Sequence, residues 1–198
     1  LRGERVFCKI ISGTTTAAQV AEIAPRGLVL CGEPKSAAGV FDAEILKLDI
    51  PVLALGHAAH MLIAAMGGAC AGAAISEKKA NVQYADCKLF TGVEGGERYI
   101  QEAMTLMLPA DVQVTAGAGG CTVAFEDSKR SLFGVQFELE RNDPDGSTIL
   151  KNFARDICGC TPWFTMDAAL AEARRALTEA SIEGGFAVCG VSGGVDSS

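Results

Sequence analysis

The sequence predicts an α/β protein built on a mostly parallel sheet with helices on both faces. Short, wholly apolar runs at Leu28–Cys31 and Pro51–Leu55 have the length and composition of strands buried on both sides. Helix-length segments alternate with them, as the crossover connections of a parallel sheet require. With 198 residues, 49% hydrophobic and 21% charged, the chain can bury one core of about 150–180 residues and begin a second unit.

The elements follow in order. Arg5–Ile11 alternates as a strand does, and Thr14–Glu22 is a short helix opened by a threonine cluster. Leu28–Cys31 is a fully buried strand closed by a turn at Gly32-Glu-Pro-Lys35, and Phe41–Leu48 is a helix. Pro51–Leu55 is a central strand, from which the chain turns sharply at Gly56 into an apolar helix, His57–Met66, stopped by Gly67-Gly68. Over residues 69–135 shorter strands are expected at Val82–Tyr84, Val112–Ala116, Thr122–Glu126 and Leu132–Phe137, with antiparallel members and loops at Gly92–Gly96 and Gly117–Gly120. Ile149, Leu150, Phe153, Ala154 and Ile157 have helical spacing, so Ser147–Cys158 closes the first unit, residues 1–160. Thr161-Pro162-Trp163 is a linker, since proline bars helix continuation. The second unit, 161–198, starts near Thr165 with a helix whose apolar stripe is Met166, Leu170, Ala173, Leu177 and Ala180; Gly184-Gly185 releases it into an apolar terminal strand.

Composition excludes several functions. A net charge of −7 and a pI near 4.9 argue against a nucleic-acid partner. No run approaches the about 18 apolar residues of a membrane span, and no signal peptide opens the chain, so a cytoplasmic protein without a membrane partner is expected. Its eight cysteines fit that compartment as free thiols. Only Cys158-Gly-Cys160 is closely spaced, and without a second pair it predicts no metal site. The first residue is Leu1, not Met, so a fragment or an incompletely reported sequence is expected.

The terminal strand passes into Ser192-Gly-Gly-Val-Asp-Ser-Ser198, a phosphate-binding turn. Gly193 and Gly194 let the backbone approach a ligand, while the N–H groups around Val195 and the hydroxyls of Ser192, Ser197 and Ser198 can ring a pyrophosphate. Asp196 is placed to help hold Mg²⁺ on it. The helix such a loop needs behind it would follow Ser198, so this chain alone is expected to hold neither ATP nor Mg²⁺ tightly.

These parts resemble the two-domain GMP synthetase family, in which a class I glutamine amidotransferase domain precedes an ATP pyrophosphatase domain. The resemblance rests on Gly27-Leu-Val-Leu-Cys-Gly-Glu-Pro-Lys-Ser36, Pro51–Gly68, Leu132-Phe-Gly-Val-Gln-Phe137, Ile149-Leu-Lys-Asn-Phe153, Asp156-Ile-Cys158, Trp163 and the terminal loop. It implies a flavodoxin-like amidotransferase sheet followed by the first helix and strand of the pyrophosphatase domain. It also implies an ATP-dependent carbon–nitrogen ligase, with ATP, Mg²⁺ and xanthosine monophosphate bound by the domain that follows; a homodimer is allowed. The family's opening strand and helix have no counterpart before Leu1.

The departures fall where amidotransferase chemistry is done. The family's nucleophile is a cysteine on a strained strand-to-helix elbow, and Gly56 stands in its place; the general base of its Phe-His-Pro-Glu string is replaced in Phe137-Glu-Leu-Glu140, where Glu138 takes the histidine's position and Glu140 keeps the orienting carboxylate. The oxyanion turn, Gly-Gly-Pro in the family, reads Gly32-Glu-Pro34, and the family's Ser-His before the later strands is replaced near Thr105-Leu106. No catalytic residue is intact, and glutaminase activity is expected to be absent. Cys70 lies a helix length from the elbow, out of reach. His57 and His60 could face Glu138 and Glu140, a set that can bind a metal, but remnants of a lost triad are more often solvated or paired with each other. Three functions follow: a GMP synthetase-like enzyme that takes free ammonia or keeps this domain for regulation, another ATP pyrophosphatase-type ligase, or a non-enzymatic binding module.

Overall fold

A computed structural model describes residues 1–32, 41–139 and 144–182. Thr16 opens α1 (Ala17–Ile23) with a capping box: its hydroxyl accepts from the Gln19 N–H and the Gln19 side chain accepts from its own N–H. After β1 (Leu28–Leu30), a 3₁₀ turn at Ala43–Lys47 starts on Asp42, whose carboxylate accepts from Glu44 N and, at 2.9 Å, from Ala17 N of α1. These two N–H groups hold the Asp42 carboxyl below its ordinary range. Then come β2 (Val52–Leu55), α2 (His57–Ala65), β3 (Ala69–Tyr84), β4 (Gly96–Met107), β5 (Gln113–Ala118), β6 (Cys121–Asp127), β7 (Leu132–Val135), α3 (Pro144–Lys151) and α4 (Met166–Ile182).

The strands form a seven-stranded mixed sheet in the order β1-β2-β7-β6-β5-β3-β4. β1, β2 and β7 are parallel neighbours, and every other pairing is antiparallel. The parallel part is β1, β2 and β7, the last of them among the strands expected over 69–135, and the other strands of that stretch are antiparallel. β2 is interior, with Val52, Leu53 and Ala54 fully buried. Val52 and Ala54 pack with Ala58, Leu62 and Ile63 of α2 on one face. Leu53 packs on the other with Ile149 of α3 and Phe153 of the π-helical stretch Asn152–Ile157 that continues it. Helices thus cover both faces. Asn152 marks the change to π geometry, its buried amide donating to the carbonyls of Leu89 and Thr91.

Several elements differ from the sequence expectation. Residues 5–11 form no strand: Arg5 O accepts from Phe164 N, and Phe7 stacks on Trp163, so the apolar alternation is spent on the linker instead of a sheet neighbour. β1 is half-buried because it is the sheet's edge, paired with β2 alone. Phe41–Leu48 tightens to the 3₁₀ turn, and the helix expected from Ser147 begins at Pro144, where the ring's fixed φ suits a first helical position. The strand at Val82–Tyr84 is the end of the 16-residue β3, whose antiparallel partner β4 the sequence does not predict. The loop expected at Gly117–Gly120 narrows to a two-residue turn, Gly119-Gly120, both with positive φ as such a hairpin demands, while Gly117 and Ala118 belong to β5. The outer edge of β4 curls back to the chain beyond β7: Glu138 N donates to Tyr99 O, and the Gln136 amide pairs with both backbone groups of Met104.

Beyond Ile182, the expected break at Gly184-Gly185 and the terminal strand lie outside the described residues. On α4, Met166, Leu170 and Leu177 are exposed. No described helix is long and apolar enough to cross a membrane.

Candidate functional site

The site is built where two parallel strands end side by side. Leu55 of β2 pairs with Val135 of β7, and Gly56 N donates to Val135 O at 2.8 Å as the chain leaves the sheet. Gly56 then takes φ +57 and ψ −124, a turn that L side chains rarely adopt, and α2 starts at the next residue. A Cβ built on Gly56 meets nothing within 4 Å, so space exists and the backbone is the obstacle. Glu138 follows the end of β7 by three residues, half-buried, its N–H held by β4. The structure thus brings Gly56 and Glu138 to the carboxyl ends of adjacent strands, the edge at which open α/β sheets carry their sites. Glu140, Glu33 and Pro34 of the expected oxyanion turn, and the loop Ser192–Ser198 lie outside the described residues. Thr105 and Leu106 lie on β4, paired with Ala71 and Cys70.

Behind the elbow, His60 is buried and its Nε2 lies 2.5 Å from Gln136 Oε1. That oxygen also accepts from Met104 N, while the Gln136 amide nitrogen donates to the Met104 and Thr122 carbonyls. The amide orientation is fixed by these partners, so His60 donates through Nε2–H, with Nδ1 unpartnered. Burial is the main cause that holds its pKa below the ordinary 6.5, opposed by the Gln136 bond. The His57 ring stacks edge-on at 5.3 Å. The described residues contain no group of three metal-ligating side chains, and His60 meets an amide instead of a carboxylate. Gln136, which no sequence motif singles out for this role, organises the region by joining α2, β4, β6 and β7. A lone amide between Val135 and Phe137 in an apolar strand was its signal, because a buried polar group must find partners.

Protonating His60 favours the unfolded chain. Its contribution to stability is complete above pH 6.5 and is lost as the pH falls from there through the lower folded value. Urea midpoints measured against pH are expected to decline across that window in the native protein and to be flatter in His60→Gln, which keeps a donor for Gln136.

Among the described residues, no cysteine offers a thiolate at the junction of β2 and α2. Cys70 is nearer than a helix length, because the chain turns back at Gly67-Gly68 and its Sγ reaches the His60 carbonyl at 3.7 Å, but burial raises its pKa. Cys87 donates to Glu126, and burial first pushes it, like Cys158, up to about 12. Thiols so placed are not thiolates.

No protein-family model matches the chain. The glutamine-hydrolysing GMP synthase of Clostridium perfringens is 33% identical to it over 208 residues, 98% of this chain and 40% of the relative. That of Rhodopseudomonas palustris is 33% identical over 213 residues, 100% of this chain and 39% of the relative. The chain spans about two fifths of the length of the curated relatives it matches. The crystal structure of a GMP synthase subunit protein from Thermoplasma acidophilum superposes with a TM-score of 0.66 at 21% identity, over 76% of this chain and 80% of that one, which establishes a shared α/β fold.

Proposed function

We propose that this chain, similar along its whole length to GMP synthases, is the amidotransferase-like part, with the first stretch of the ATP pyrophosphatase part, of a ligase that aminates xanthosine monophosphate without hydrolysing glutamine. The observation that carries this reading is the elbow: at Gly56 the backbone makes the turn on which a nucleophile is presented, and the residue has no side chain. Attack on a glutamine amide needs a thiolate, a base that takes its proton and returns it to the leaving ammonia, and donors for the tetrahedral oxyanion. Gly56 cannot supply the first, and Glu138, where the resemblance puts the base, would set a carboxylate against the developing negative charge. Ammonia then comes from solution. The chain's own contribution to nucleotide chemistry in this proposal is Ser192–Ser198 on pyrophosphate and Asp196 on Mg²⁺, with xanthosine monophosphate held by the domain that follows, in a cytoplasmic enzyme.

The test is ammonia release from glutamine by the full-length protein, with and without xanthosine monophosphate and ATP. Turnover is expected at the level of a heat-killed control, a loss of about 10⁶-fold when a nucleophile and its partners are gone, while added ammonium supports GMP formation. Gly56→Cys alone is expected to leave turnover at background, because the base is still missing. Steady glutamine turnover by the native protein would overturn the proposal.

A further inference from the structure

We infer that the hollow between the amino-terminal turn and the start of α4 is a phosphate-binding site, with Arg2 and Arg5 as the binding groups. The hollow measures about 340 Å³ and is lined by Arg2, Arg5, Phe164, Thr165, Met166 and Ala169; none of them belongs to the elbow region.

The turn that presents the arginines is a built structure. Leu1 O accepts from Glu4 N at 3.0 Å and Val6 N at 3.2 Å, and Arg2 O accepts from Arg5 N at 2.9 Å. The turn is anchored by Phe164 N donating to Arg5 O, and by the Glu4 carboxylate, which accepts from Ser147 Oγ at 2.7 Å and faces Arg155 at 3.4 Å. Glu4 is thereby engaged away from the hollow. Arg2 lies over the Phe164 ring at 5.8 Å, which orients its guanidinium.

Charge then points to the ligand. Arg98, Arg130, Arg155 and Arg175 each pair with a carboxylate, whereas among the described residues Arg2 and Arg5, like Arg26 and Arg174, have none within 4 Å. Arg2 and Arg5 are exposed and line one hollow in a chain of net charge −7, where two cationic groups favour an anion. Arg5 sits at φ +61, which turns the chain sharply at the rim of the hollow. Two guanidinium forks match the oxygens of a phosphate, and Phe164, Met166 and Ala169 form an apolar wall beside it. The ligand is inorganic phosphate or the phosphate of a nucleotide.

The test titrates the 198-residue chain with inorganic phosphate, AMP and adenosine, following backbone amide resonances against sodium chloride of matched ionic strength. Phosphate and AMP are expected to shift the amides of residues 2–6 and 164–169 saturably, and adenosine is not. Arg5→Ala is expected to weaken binding about tenfold, the loss of one charge-assisted contact, Arg5→Lys less, and Arg2→Ala with Arg5→Ala to abolish it at an unchanged circular dichroism spectrum. Tighter binding of AMP than of phosphate assigns a nucleotide, and equal binding assigns the phosphate group alone. No saturable shift with either anion, a shift that chloride reproduces, or undiminished binding by the doubly substituted chain overturns the inference.

Discussion

Phe125→Ala is expected to lower the free energy of unfolding by about 3–5 kcal/mol, a large share of the about 5–15 kcal/mol that holds a domain together. Phe125 is fully buried on β6 and packs with Val52, Leu62 and Ile63 on the α2 face of the sheet. Its ring lies over its own cross-strand partner, Gly134 of β7, so closely that a Cβ on that glycine would fall among the ring atoms. Gly134→Ala should therefore cost about 1–3 kcal/mol by overpacking. In the Phe125→Ala background the added methyl enters the cavity, so the double variant is expected to be more stable than the sum of the two single losses allows. Urea unfolding of the four proteins measures all three quantities; additive losses would show that ring and glycine do not share the space.

Arg98→Leu is expected to lose about 3–5 kcal/mol, the range for breaking a buried ion pair from one side. Only 7% of the Arg98 side chain is exposed, and its guanidinium pairs with Asp145 of α3. Its other donors reach Tyr84 Oη at 3.1 Å, Glu97 O at 2.9 Å and Glu94 O at 3.2 Å. One side chain so joins β3, β4 and α3. Replacing Asp145 by leucine in the same protein removes the stranded carboxylate, and the double variant is expected to be more stable than Arg98→Leu alone. Thermal unfolding at low and high salt checks the assignment, because a buried pair is screened little.

The legible parts of the fold were those whose signal is local. Val52–Leu55 is apolar on both faces and flanked by a proline and a glycine, so its central place could be read directly, and the turn at Gly119-Gly120 needs only its own two residues. β4 was illegible because Glu97, Arg98, Gln101 and Glu102 interrupt its apolar residues, and its reason to be a strand is pairing with Ala69–Val82, a non-local partner itself rich in alanine, glycine and lysine. Arg5–Ile11 failed the other way. Alternation states that one face will be covered but not by what, and Phe7 is covered by Trp163 and Phe164. At the site, Gly56 and Glu138 come to one edge because β2 and β7 are parallel neighbours, a pairing that neither strand's own residues state. The His60–Gln136 bond spans 76 residues and depends on how the sheet curls, which no spacing encodes.

A backbone at φ +57 and ψ −124 exacts about 1–3 kcal/mol from any residue that carries a Cβ. An elbow that presents a reactive group holds that energy as a standing liability, offset by the rest of the domain. Gly56, with no Cβ, follows this path without that cost, and its N–H closes onto β7. The junction between β2 and α2 is thus a relaxed hinge pin, and the stability that a side chain there would cost stays with the fold.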